Sequence, residues 1–207
     1  MDNETPSRPL LVRLCNWVGE VVLMIPTLER LSAAGFELTL YGKPWARDLL
    51  AYYPWQMMNR PKGTRDSIYR LRQWRQAQPM QPQALLFTKS LSSALETRLA
   101  NIPSFGYAYD GRSLLLSNAY RFRNFDHAAE TYWQLSNEFL NETQTLPRPV
   151  IWEPSMYHTL AAEQLLQQHG LLASNTVMLC PFSGTDDKAG RKHWPMFTTL
   201  AQKLTQE

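Results

Sequence analysis

Two groups of residues in this 207-residue chain have types and spacings that chemistry can use. The first is Gly19-Glu20. It follows the apolar run Leu10-Leu11-Val12-Arg13-Leu14 and the short stretch Cys15-Asn16-Trp17-Val18. Such a run reads as a buried parallel strand, and in an open α/β sheet ligands bind beyond the carboxyl ends of strands. Glu20 falls at that point and at the start of a helix, where the helix dipole favours a carboxylate. Gly19 allows close approach of the backbone. A carboxylate in a cleft can take a proton from a substrate hydroxyl as a general base. An ordinary acidic residue in a first helical turn would have the same signature. The second group is Ser183-Gly184-Thr185 with Lys192, after the apolar run Val177-Met178-Leu179-Cys180. Small hydroxyl and glycine residues after a strand expose N–H groups that can hold phosphate oxygens, and a lysine adds a point charge for a diphosphate. A plain polar strand-to-helix loop reads the same way. The segment is not a Walker A loop, because its glycines are one residue too far apart and no Ser or Thr follows the lysine.

A third group is basic: Arg60, Lys62, Arg65, Arg70, Arg72 and Arg75, with Asp66, Tyr69 and Trp74 among them. It suits phosphate contacts, or a solvated helix face with Ile68, Leu71 and Trp74 turned inward. Charge is uneven along the chain. Residues 1–125 hold 16 Lys+Arg against 9 Asp+Glu, and residues 126–207 hold 5 against 9. A basic first part favours an anionic partner: phosphorylated lipid, acidic sugar or nucleic acid. The templates G-x-G-x-x-G, H-E-x-x-H, G-x-S-x-G and C-x-x-C are absent, and His127, His158, His169 and His193 are scattered. Metal and Ser-His-Asp chemistry therefore have no support. Cys15 and Cys180 read as packed thiols and not as a disulfide. The polar first nine residues lack a signal core, and no apolar run is long enough to span a bilayer, so a cytoplasmic location is expected.

The elements that must position these groups alternate. Strands are expected at 10–14, 37–41, 55–59, 84–88 and 104–107, and helices at 21–31, 45–52, 65–76, 91–100 and 126–140. Pro26 predicts a kink or late start in the first helix. Thr64 and Ser90 are expected to cap the third and fourth helices. The fourth should bury Leu91, Ala94, Leu95 and Leu99. This alternation indicates βαβ units and a mostly parallel sheet. Residues 1–150 read as one α/β domain and 151–175 as a connection with a helix at 155–169. Residues 176–207 read as the opening strand (176–180) and helix (195–205) of an incomplete second domain, with Met196, Phe197, Leu200, Ala201 and Leu204 inward.

Taken together, four segments resemble glycosyltransferase family 9, the heptosyltransferases of lipopolysaccharide core synthesis. Asn16 through Pro26 is similar to the family's opening loop and helix, and Thr88-Lys89-Ser90-Leu91-Ser92-Ser93-Ala94 to its acceptor-side turn. Leu99-Ala100-Asn101-Ile102-Pro103 through Gly106-Tyr107, then Asp110-Gly111-Arg112, resembles the stretch after it. Cys180-Pro181-Phe182-Ser183-Gly184 with Lys192-His193-Trp194-Pro195 resembles the start of its sugar-nucleotide domain. The resemblance implies a GT-B architecture of two Rossmann-like domains with the donor domain incomplete here. It implies metal-independent, inverting transfer of heptose from ADP-heptose to an anionic, lipid-linked inner-core sugar. No cofactor is implied beyond the sugar-nucleotide substrate, and no nucleic acid. The implied protein is a monomer at the cytosolic face, where peripheral contact with the inner membrane is allowed. Glu20 stands at the catalytic acid position, usually Asp in the family. Lys192 matches the diphosphate-contacting lysine, and Ser183, Gly184 and Thr185 match the phosphate loop. Gly19, Lys89, Ser90, Arg60 and Lys62 fall on the acceptor side. Two other readings stay open: an inactive family member kept for protein interaction, and a basic nucleic-acid-binding module.

Overall fold

The computed structural model describes residues 8–181 and 194–205. Contacts divide the chain into two compact units, Met1–Met156 and Tyr157–Glu207. The first is built on a six-stranded parallel sheet in the order β3-β2-β1-β4-β5-β6. Its strands are β1 (Arg8–Arg13), β2 (Phe36–Gly42), β3 (Gln56–Asn59), β4 (Gln83–Leu86), β5 (Ser104–Ala108) and β6 (Asn118–Arg121). Between them run α1 (Val18–Ala33), α2 (Ala46–Leu49), α3 (Thr64–Gln76), α4 (Leu91–Leu99) and a 3₁₀ turn at Arg112–Leu114, and α5 (Ala128–Leu140) follows β6. This is the doubly wound order, and its crevice opens where the order reverses, between β1 and β4. There Arg13 pairs with Leu86, so the two strands end level and their loops leave the sheet side by side.

The alternation of β1 places the helices. Leu10, Val12 and Leu14 join one buried cluster with Val21, Met24, Ile25 and Leu28 of α1 and Leu135 of α5. Leu11 points to the other face, with Leu71 of α3 and Ala94 of α4. The helix α1 begins earlier than expected and continues through Pro26. A proline in a helix interior costs about 3 kcal/mol. Met24, Ile25, Leu28 and Leu31 are all fully buried on that helix, at about 1.5–3 kcal/mol each, so packing wins. Near the end of α1, Arg30 donates to Ser136 Oγ (3.1 Å) and Asn137 Oδ1 (2.5 Å), and pairs with Glu142 at 2.9 Å. This fixes α5 along α1.

Several expectations are corrected. The second helix shrinks to Ala46–Leu49, β6 was not foreseen, and Gly63 rather than Thr64 occupies the cap of α3. Ser90 does cap α4. That helix nevertheless buries Ser93, Ala94, Glu96 and Thr97 and leaves Leu91 and Leu99 half exposed. The polar face goes inward because every member has a partner: Thr97 Oγ1 donates to Ser93 O (3.1 Å), Ser93 Oγ to Ser90 O (2.8 Å), and Glu96 accepts from Arg60.

The second unit contains α6 (Met156–Gln168, whose first residue closes the first unit), a 3₁₀ turn at Ala173–Asn175, and α7 (Phe197–Leu204). The strand expected at 176–180 does not form, and Val177 and Met178 are 62% and 85% exposed. A lone extended segment has no ladder partner for its N–H and C=O groups. None of the residues expected to face inward on α7 is buried.

Candidate active site

The loop after β1 and the loop after β4 bound an open cleft of about 430 Å³ at the carboxyl edge of the sheet. Cys15, Asn16, Trp17 and Glu20 line one side, and Phe87, Thr88, Lys89 and Ser90 line the other. Thr131 and Tyr132 of α5 complete the wall. A larger, more apolar groove of about 510 Å³ lies along Leu23, Leu146, Pro149 and Val150. It holds no carboxylate, and its one cation, Arg148, is paired with Glu130. Of these two, the first cleft combines a carboxylate with a cation that pairs with no acid among the described residues.

Glu20 sits in the first turn of α1, half-buried. Opposite it is Tyr132. The Cys15 thiol donates to the Tyr132 hydroxyl at 3.6 Å, which leaves the tyrosine O–H to face Glu20. Burial, then Cys15 and Glu20, push the Tyr132 pKa well above that of an ordinary phenol. Burial pushes the Cys15 thiol up to about 11. Both groups are therefore neutral near pH 7, so Tyr132 can donate a hydrogen bond and Cys15 is no nucleophile. The buried Arg13 donates to Asn16 Oδ1 at 3.2 Å, which commits the amide oxygen. Gly19 is exposed, and a Cβ there would meet nothing within 4 Å, so the approach to the helix end is open.

Lys89 projects from the β4–α4 turn with its ammonium 3.6 Å from the Phe122 ring centre and 5.4 Å from that of Tyr109. Among the described residues it belongs to no ion pair. Ser90 lines the cleft, but its hydroxyl is engaged locally, accepting from Ser93 N at 3.4 Å. The two remaining acceptor-side candidates are elsewhere. Arg60 forms a two-pronged ion pair with Glu96, whose side chain is only 1% exposed, and Lys62 lies on the exposed turn after β3. Neither lines the cleft. Ser183, Gly184, Thr185 and Lys192 lie outside the described residues. No group of three or more His, Cys, Asp or Glu placed to hold a metal exists among the described residues. No helix there is long and apolar enough to cross a membrane. Tyr132 and Thr131 escaped the sequence reading because a polar residue within a helical stripe has no local signature.

The sequence profile of glycosyltransferase family 9 (heptosyltransferase) matches residues 75–207. The chain belongs to that family. Lys89 and Ser90 lie inside the matched span, whereas Glu20 precedes it and stands on its place in the sheet. The fold is similar to that of E. coli ADP-heptose lps heptosyltransferase II, with a TM-score of 0.70 and 22% identity over 96% of this chain and 61% of that one. A family 9 glycosyl transferase from Veillonella parvula is similar at a TM-score of 0.66 and 17% identity, over 97% of this chain and 66% of that one. E. coli heptosyltransferase WaaC with ADP-2-deoxy-2-fluoro heptose gives 0.59 and 17%, over 90% and 62%. The chain thus spans about three fifths of the length of the solved structures it matches. Comparison with curated protein sequences gives no match.

Proposed function

We propose that this chain belongs to an inverting heptosyltransferase, with the acceptor side in residues 1–150 and donor-diphosphate contacts after residue 180. The enzyme would move heptose from ADP-heptose to an anionic, lipid-linked inner-core sugar at the cytosolic face, without a metal. Glu20 removes the proton from the acceptor hydroxyl, which attacks the anomeric carbon in line as ADP departs. Tyr132 holds the Glu20 carboxylate toward the cleft. Lys89 meets a phosphate or carboxylate of the acceptor. Lys192 and the backbone amides of Ser183, Gly184 and Thr185 steady the departing diphosphate. The observation that carries this reading is that Glu20 and Lys89 line one cleft at the point where the strand order reverses. E. coli heptosyltransferase WaaC is solved with ADP and with ADP-2-deoxy-2-fluoro heptose, which supports the donor class.

The test is a sugar-transfer assay. Glu20→Gln is expected to lower kcat by ~10²-fold or more, the size of a general-base contribution, with the unfolding midpoint unchanged. Turnover within a few-fold of wild type would remove Glu20 from the mechanism.

A further inference from the structure

Arg112 is fully buried and belongs to none of the ion pairs among the described residues. A guanidinium taken out of water without a counter-charge is costly, and burial pushes this one down to about 10. It still carries its proton at neutral pH. Its partners are all backbone carbonyls. Nε donates to Tyr107 O at 2.8 Å, and Nη1 donates to Thr88 O and reaches Ser90 O at 3.5 Å. Thr88 and Ser90 flank Lys89. The arginine thus ties both sides of the β4–α4 turn to β5. Gly106 makes room for it, since a Cβ there would come within 2.6 Å of Arg112 Nη2.

The side chain of Lys89 is held separately. Phe122, beneath its ammonium, packs edge-on against Tyr107 at 5.3 Å and against Tyr109 at 6.1 Å. Tyr107 is also the residue whose carbonyl takes Arg112 Nε. One connected group therefore holds both the backbone beside Lys89 and its ammonium.

We propose that Arg112 is a positioning residue for Lys89: its buried guanidinium fixes the Thr88–Ser90 carbonyls so that the Lys89 ammonium rests on the Phe122 ring at the cleft, with no acid among the described residues holding it. That the ammonium then meets an acceptor anion rests on the transfer reading above; the positioning itself does not. An ammonium already held loses less freedom when it engages an anion, and no carboxylate among the described residues has to be displaced.

The test uses proton NMR of the 207-residue chain without ligand. The Lys89 ε-methylene, identified by its loss in Lys89→Arg, should be shielded by the Phe122 ring, and Phe122→Leu should abolish that shielding. Arg112→Met and Gly106→Ala should each reduce it by half or more while the core methyl spectrum stays native. Arg112→Lys should recover little, because a single ammonium cannot span the Tyr107 and Thr88 carbonyls as the fork does. Should Arg112→Met fail to fold, Gly106→Ala decides, since it keeps the arginine and displaces it, while its closest other contact, Leu86 O at 3.2 Å, asks for a shift of only a few tenths of an ångström. Folded variants with the wild-type Lys89 resonance would reduce Arg112 to a structural role and overturn the proposal. An unshielded Lys89 in the wild type would overturn it as well. Neither result touches the transfer assay, so failure here and failure of Glu20→Gln are distinguishable.

Discussion

Two cations near the carboxyl edge of the sheet, Arg60 and Lys89, look alike in the sequence and differ in the structure. Arg60 is spent internally. It grips Glu96, a carboxylate almost wholly removed from water, and that grip raises its own pKa. Lys89 lines the cleft, has no acid partner among the described residues, and rests its ammonium on the Phe122 ring. Burial explains the difference. A buried carboxylate must be matched by charge and hydrogen bonds, so Glu96 claims the nearest fork. An ammonium at a wall open to water needs no such match, and a ring face holds it weakly while leaving it free to exchange partners. Basic residues near a cleft are binding candidates only when the interior has not already claimed them.

Substitutions at these two sites can break or sharpen that contrast. The largest effect is expected at Arg60→Ala. It leaves Glu96 buried without its hydrogen-bonded fork, faced only by the charge of Arg13, and should cost about 3 kcal/mol in urea unfolding. The reverse change, Glu96→Ala, should cost less, because Arg60 is part-exposed and can turn to water, although Arg13 would then face it unopposed. A loss at Arg60→Ala of under about 0.5 kcal/mol would show that the pair is not the structural element described here. Lys89→Ala should show the opposite profile. Its unfolding midpoint should stay within about 0.5 kcal/mol of wild type. Its binding of acidic core glycolipid should weaken by about tenfold, the scale of one hydrogen bond to a charged group, and the salt dependence should flatten. Equal binding by wild type and Lys89→Ala would take Lys89 out of the site.

The smallest expected effect concerns the two thiols, and it tests the same principle of burial against exposure. Cys15 is buried with its pKa raised to about 11, and Cys180 is exposed. At pH 8 a thiol reagent should modify Cys180 readily and leave Cys15 intact until the chain unfolds. The folded pKa of Cys15 lies above its ordinary value of 9.0, so the folded state holds this proton more tightly. Its contribution to stability is complete below pH 9 and is lost as pH rises through about 11. Cys15→Ser should remove part of that alkaline loss, visible in unfolding midpoints between pH 8 and 11. Rapid labelling of native Cys15 at pH 8 would show that the Cys15–Tyr132 corner of the cleft is open.

Much of the fold was legible because its signals are local. The apolar run from Leu10 to Leu14 announces a strand wherever it is read, and a carboxylate directly after it lands at the edge where an open sheet binds ligands. Ser90 before an amphipathic stretch announces a cap. Other features were not legible. In α4 the apolar pattern pointed to Leu91 and Leu99, yet the buried face carries Ser93, Glu96 and Thr97, because Arg60 and backbone carbonyls satisfy them. Residues 176–180 have the composition of a strand and pair with no strand among the described residues.

By itself, then, the sequence determined the alternation of strands and helices, the family, and the placement of Glu20 and Lys89 after strands one and four. The alternation and the two placements follow from periodicity or from residues adjacent in the chain, and the family from the resemblance of four segments. Only the tertiary structure decided that those two residues line the same cleft, that Tyr132 faces the carboxylate, and that Arg60 is taken by Glu96. Only the structure, too, revealed that Arg112 grips the turn beside Lys89 through space left by Gly106. These are pairings between residues far apart in the chain. Their free energy comes from desolvation and partner geometry, and neither quantity exists until the sheet has brought the distant segments together.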